Sequence, residues 1–181
     1  LDDVFETLEN LRAEGKIRAL GVTNLDLSQV TTPLPGSLAS FSHVYNLTDR
    51  SNEQAIEAGR NGHDLTFLSW GSLGHGILSG KYLNDRGFEP GDRRNRDTYP
   101  AYHGEGLERS LRIVDAMKVL LPRYPGRTPA QMALRWILDR IPGSVACVGI
   151  KTPAQLEENA GALGWALDAD DIATLDRISA W

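Results

Sequence analysis

Apolar stretches of strand length alternate along this chain with amphipathic stretches of helix length, and most links between them are short. That alternation leaves few folds open. Successive strands joined through helices lie parallel, with right-handed crossovers and helices covering the sheet. Residues 2–15 space Val4, Leu8 and Leu11, with Phe5 beside them, as an amphipathic helix ended by Gly15. Four strands are expected, at 17–22, 41–47, 64–70 and 145–150. Between the first two, a short helical or irregular passage over 25–30 runs into a breaker over 31–36 with Pro33 and Pro35. Ser51, with Gln54 three residues on, predicts a capped helix over 51–59. Helices are expected at 107–121, after Thr128-Pro129-Ala130-Gln131, at 153–163 and at 168–178, with Pro142-Gly143 stopping the second. No repeat of solenoid type is visible.

With 181 residues and 41% hydrophobic content, the chain can bury one sizeable core, so residues 1–181 read as a single domain. The net charge of −5 and scattered Lys and Arg, clustered only at Arg93, Arg94 and Arg96, argue against a nucleic-acid partner. That cluster suits either a solvated loop face or contact with an anionic ligand. Cys147 stands alone inside an apolar strand, which excludes a disulfide framework and a cysteine-based metal site and fits a reducing, cytoplasmic setting. No run of about 18 apolar residues is present to cross a membrane, and no signal-peptide pattern opens the chain. His43, His63, His75 and His103 show no metal-ligand spacing, so no metal is expected. The start at Leu1 instead of methionine leads us to expect an incomplete chain.

Chemistry concentrates at the junction Val148–Asn159. A buried strand there meets a helix at Lys151, where Thr152 can cap the first turn, Pro153 suits its first position and Gln155 can reach back to complete a capping box. Free N–H groups, the positive end of the helix dipole and a lysine form a site for a phosphate-sized anion. Gln155, Glu158 and Asn159 follow on the same two turns, where they could meet a base or ribose attached to that anion. An ordinary capped helix beside a solvated lysine is the competing reading. Gly71, Gly74, Gly76 and Gly80 punctuate W-G-S-L-G-H-G-I-L-S-G-K after the third strand, either as a structural loop or to admit a ligand close to the backbone. From Gly71 to about Gly106 regular patterning is lost, and so long a loop is usually functional or mobile. Trp70 suits a stacking surface or the core, and Thr23 and Asn24 end a parallel strand, the edge where such folds place ligands, although Asn24 also suits a turn. No histidine or tyrosine has a neighbour that marks it as a tuned acid or base.

Five segments in sequence carry a family resemblance: E-G-K-I-R-A-L-G-V-T-N at 14–24, V-Y-N-L at 44–47, L-S-W-G-S-L-G-H-G-I-L-S-G-K at 68–81, T-P-A-Q-M-A-L-R-W at 128–136 and V-G-I-K-T-P-A-Q-L-E-E-N at 148–159. In this order they closely resemble the C-terminal half of the aldo-keto reductases. The resemblance implies half of a (β/α)8 barrel, a nicotinamide cofactor, usually NADP(H), and reduction of an aldehyde or ketone by hydride transfer. It implies that Thr23 and Asn24 hold the nicotinamide amide and that Trp70 stacks on its ring. It assigns Ser72, Leu73, Gly74 and Gly76 to the pyrophosphate loop, where the family's S-P-L is here Gly71-Ser72-Leu73. Lys151 and Thr152 match the 2′-phosphate contacts, and Gln155, Glu158 and Asn159 the adenosine contacts. Ser42 stands where the family usually has a Gln. The family's catalytic Asp, Tyr, Lys and His belong to the first four strands, and the resemblance begins after them, so no catalytic residue is assigned. His43 and Tyr45 do not replace them.

Half a barrel leaves two unpaired sheet edges and an apolar face open, so a partner is expected: a missing N-terminal half, a second copy or a separate chain. The enzymatic expectation is the cofactor-binding half of a reductase, inactive alone and acting on a small carbonyl substrate. The alternative is a catalytically silent NADP-binding regulatory or scaffold subunit.

Overall fold

A computed structural model describes residues 2–27, 36–61, 64–82 and 88–180. Four strands form one sheet in the order β1 (Leu20–Thr23), β2 (Leu38–Val44), β3 (Thr66–Trp70) and β4 (Val145–Ala146). Every neighbouring pair is parallel. Among the described residues six α-helices accompany them: α1 (Asp2–Ala13), α2 (Glu53–Arg60), α3 (Gly104–Leu120), α4 (Pro129–Arg140), α5 (Pro153–Ala160) and α6 (Ala169–Ser179). The expected α/β architecture of four parallel strands with surrounding helices is therefore present, and it is open, with β1 and β4 at the edges.

Side chains alternate across a strand, and here the two faces differ sharply. Phe41 and Phe67, Cα partners in register, turn to the helical side, are each 1% exposed and pack ring on ring at 5.3 Å. Tyr45 continues that side and stacks on the buried Trp136 of α4 at 5.2 Å. Ile56, Ile113, Met117, Met132 and Leu175 join α2, α3, α4 and α6 to the same core. The opposite face carries Gly21, Thr23, Ser40, Ser42, Leu68 and Val145, none of them buried. It is thus a mixture of small hydroxylic and aliphatic residues, more polar than the apolar face expected from a half-barrel.

Element boundaries moved where pairing, and not hydrophobicity, decided them. The strand expected at 41–47 lies at Leu38–Val44, because its register is set by Leu20↔Leu38 on one side and Val44↔Trp70 on the other. The Tyr45 amide makes the last bond to β3, to Trp70 O at 3.3 Å, and Asn46 and Leu47, though buried, lie beyond the strand. The strand expected at 145–150 pairs only over Val145–Ala146; Cys147 is exposed, its amide donating to Ser69 O at 2.8 Å just past the strand. The helix expected from Ser51 begins at Glu53 with Asn52 as its cap residue, and the Ser51 hydroxyl donates to Asp49 Oδ1 at 2.7 Å instead of capping. Thr128 forms the full capping box with Gln131. α1 buries Phe5 but leaves Val4 56% exposed. The passage at 25–30 is described only to Leu27, and the breaker at 31–36, apart from Gly36, lies outside the described residues, as does His63.

Candidate functional site: the carboxyl ends of the strands

Parallel strands deliver their carboxyl ends to one rim, and the loops leaving that rim carry most of the candidate residues. Thr23 closes β1, and Asn24 turns the chain out of the sheet with φ 54°. Asparagine tolerates this left-handed region better than other side chains. The Asn24 amide N–H donates to Ser42 O at 2.8 Å, while its Oδ1 accepts from Trp70 Nε1 at 3.2 Å. Asn24 and Trp70 are thereby joined across β2. Trp70 is 36% exposed, so its ring presents a surface at the rim instead of filling the core.

After Trp70 the chain makes a chain of tight turns. Gly74 has φ 56°, and a Cβ there would lie 2.9 Å from Thr48 Oγ1; at Gly76, φ 106°, a Cβ would press on the Tyr82 ring at 3.1 Å. Both conformation and space call for glycine. Asn46 Nδ2 donates to Gly71 O at 3.0 Å and pins the start of the loop. Ser72 is 1% exposed, and its hydroxyl lies among Ser69 O, Ser69 Oγ and Cys147 O, all within 3.0 Å. That side chain ties β3 to the segment after β4, which leaves its backbone to face any ligand. Leu73 packs against the core.

The α5 start is built as the spacing suggested, with one change. Thr152 Oγ1 accepts from Gln155 N at 3.3 Å, but Gln155 Oε1 accepts from Lys151 N at 2.7 Å, one residue before the cap. The capping box is therefore half formed, and Gln155 fixes the Lys151 backbone. Lys151 and Thr152 are exposed. Glu158 is paired with Lys81 at 3.3 Å, and its carbonyl accepts from Gln131 Nε2 at 2.8 Å. These contacts bind the end of the glycine loop, α4 and α5 into one body. Asn159 points elsewhere: it lines an apolar groove of about 380 Å3 with Leu134, Leu138, Val145 and Leu156.

The long loop is folded where it is described. Arg94 makes two side-chain hydrogen bonds to Asp92, at 3.0 and 2.6 Å, and lies over Phe88 at 4.1 Å and Tyr82 at 4.4 Å. Its guanidinium belongs to an aromatic box, not to a solvated face. The hydrogen bonds from Arg94 hold the Asp92 carboxyl at about 2, with Lys151 adding a smaller effect of the same sign. The loop and the lysine thus feel one another's charge. Tyr102 donates to His75 O at 3.0 Å, and His103 Nε2 lies 2.8 Å from Arg94 O. The sequence reading missed Asn46, Lys81, Asp92 and His75 as parts of this rim. Only the His75 position, between two glycines, carries a local signal.

Tyr45, Tyr102 and Tyr124 are held away from giving a proton. Tyr45 is pushed up by burial and by Glu53, to which it donates at 2.9 Å. Burial pushes Tyr102 up to about 12, and Tyr124 is raised by burial and by Asp171. His43 is buried with Nε2 3.1 Å from Leu25 O. Among the described residues, no group of three or more His, Cys, Asp or Glu could hold a metal ion, and no helix is long and apolar enough to cross a membrane.

Comparison with known proteins agrees with this geometry. Aldo-keto reductase YhdN of Bacillus subtilis is 31% identical over 179 residues, 98% of this chain and 54% of that protein. The NADH-specific methylglyoxal reductase of Escherichia coli is 30% identical over 177 residues, covering 97% of this chain and 52% of its own length. A glycerol dehydrogenase from Gluconobacter oxydans superposes with a TM-score of 0.81 at 30% identity, over 94% of this chain and 51% of that one. An aldo/keto reductase from Klebsiella pneumoniae in complex with NADP and acetate gives 0.67 at 26% identity, over 97% of this chain and 53% of that one. The chain spans about half the length of the relatives it matches. With the Aldo/keto reductase family model matching residues 1–180, and half of that family's TIM barrel present in its strands and helices, the chain belongs to the aldo/keto reductase family.

Proposed function

We propose that this chain is the NADP(H)-holding half of an enzyme that reduces an aldehyde or ketone to an alcohol. The observation that carries this reading is the pairing, on one rim, of an exposed ring at Trp70, braced by Asn24, with a capped helix start at Lys151 and Thr152. The donor set fits a dinucleotide phosphate. Lys151 and the positive end of α5 would hold the 2′-phosphate, with Gln155 and Glu158 toward the adenosine, whereas Asn159 lines the apolar groove and is left out of the site. The backbone of Ser72, Leu73, Gly74 and Gly76 would face the pyrophosphate, Trp70 would stack on the nicotinamide, and Thr23 with Asn24 would hold its amide. Bound there, the cofactor supplies the hydride.

Proton donation is a separate task. Tyr45, Tyr102 and Tyr124 hold their protons more tightly than usual and are spent on Glu53, His75 and Asp171. The acid that protonates the substrate oxygen is therefore assigned to polypeptide that completes the barrel, a missing N-terminal half or a second chain. The setting is cytoplasmic. Calorimetry on the full chain should show saturable NADPH binding, and the same chain alone should show no carbonyl-dependent oxidation of NADPH. Turnover by the chain alone would overturn the division of labour, and absence of NADPH binding would overturn the cofactor site.

A further inference from the structure

Beside the rim lies a cavity of about 500 Å3 between the β2–α2 loop, the glycine turns and the long loop. Val44 lines it, the last residue of β2 and the Cα partner of Trp70. Its walls hold several exposed or half-exposed polar groups that the protein's own side chains do not occupy. His75 enters the cavity on a left-handed backbone, φ 56°, with its ring edge-on to Tyr99 at 4.6 Å. Neither ring nitrogen of His75, nor the hydroxyls of Thr98 and Tyr99, has a hydrogen-bond partner among the described residues, although all three residues line the space. Asp49 Oδ1 accepts from the Ser51 amide and hydroxyl, which leaves Oδ2 without a hydrogen bond.

The charge in the cavity is one-sided. Arg50 also lines it, but every guanidinium nitrogen is committed, to Glu53, to Asp176 O and to Ser179 Oγ. Asp49 has no such counter-ion. Burial lowers the His75 proton affinity although Asp49 opposes it, so the imidazole is a neutral donor and acceptor at neutral pH. A carboxylate or phosphate entering the cavity would meet an unpaired like charge and no available cation. A ligand bearing several neutral hydroxyls would satisfy the carboxylate oxygen, the imidazole and the two hydroxyls at once, with its carbon chain against Val44 and the Tyr99 ring.

We propose that the cavity formed by Asp49, His75, Thr98 and Tyr99 is a subsite for a neutral polyhydroxylated ligand. That this ligand is the hydroxyl-bearing end of the carbonyl substrate rests on the reductase reading above; the subsite itself does not.

Ribitol and ribonate differ mainly in the charge at one end and serve as probes for the full chain, followed by amide chemical shifts at residues 46–51 and 74–76. Ribitol should saturate, and ribonate should bind at least about tenfold more weakly. Asp49→Asn keeps the acceptor for Ser51 and removes the charge, so it should weaken ribitol by several-fold and raise ribonate toward it. His75→Gly suits the backbone at that position and should not lower the melting temperature, yet it should weaken ribitol by about tenfold, the loss of one hydrogen bond. Ribonate binding the unmodified chain as tightly as ribitol, ribitol indifferent to both substitutions, or no saturation at all would each overturn the subsite. The unmodified chain is also titrated with NADPH. NADPH binding without ribitol binding removes this subsite alone, and ribitol binding without NADPH binding removes only the cofactor reading.

Discussion

Replacing Lys151 by alanine separates a phosphate site from a solvated lysine, because the two cofactors NADPH and NADH differ only by the 2′-phosphate. The backbone at this position is held by the Gln155 side chain through the Lys151 N–H at 2.7 Å, and Thr152 caps α5 independently, so truncating the side chain leaves the helix start intact. Lys151 is exposed, which makes water the relevant dielectric, and two unit charges about 4 Å apart then attract by about 1 kcal/mol. A phosphate monoester carries about −1.5 to −2 at neutral pH, which raises the interaction to about 1.5–2 kcal/mol. Contact at that distance is shorter than the Debye length of about 8 Å in physiological salt, so screening removes only part of it. Asp92, whose carboxyl feels Lys151, would repel the phosphate once the ammonium is gone and moves the expectation to the upper end. Calorimetry should find NADPH weakened by about ten- to thirtyfold and NADH unchanged. Equal losses for both cofactors, or an NADPH affinity within about threefold of the unmodified chain, would refute the assignment of Lys151 to the 2′-phosphate.

Arg94→Lys keeps a charge but cannot reproduce the two side-chain hydrogen bonds to Asp92 or the planar contact with Phe88 and Tyr82, and it should cost about 1–2 kcal/mol. The melting temperature should fall by a few degrees, with faster amide exchange confined to residues 92–103; exchange unchanged in that segment would remove Arg94 as its anchor. Alkaline stability should fall as well. Burial raises Tyr102 from 10.0 to about 12, so the folded state binds its proton where the unfolded state has released it. That contribution is intact below pH 10 and is lost as pH rises toward about 12, so Tyr102→Phe should flatten the decline in denaturant titrations across this window. An unchanged slope would show that another group governs it.

Local signals in the sequence were sufficient wherever the deciding contacts span three or four residues. Thr128 and Gln131 form their box, and Thr152 caps α5, because a cap needs only its own first turn. The order of strands and helices was equally legible, since each element's apolar period belongs to itself. With the segments at 14–24, 68–81 and 148–159 it was enough to indicate the family.

Contacts between distant segments decided the rest. β2 ends at Val44 although apolar residues run on to Leu47, because only the neighbouring strands determine where pairing stops. Two local expectations also failed, because a competing partner lay as near in the chain: Gln155 bonds to Lys151, four residues back, instead of completing the box at Thr152, and Ser51 turns to Asp49, two residues back, instead of capping. Ser72 lies 75 positions from the Cys147 carbonyl it meets, and Arg94 finds its cage only when Phe88 and Tyr82 fold around it. Short-range geometry is written in the spacing of residues. The burial of a charge, the walls of a cavity and the neighbour across a sheet depend on segments whose distance along the chain says nothing of their distance in space, and so the tertiary structure alone supplied them.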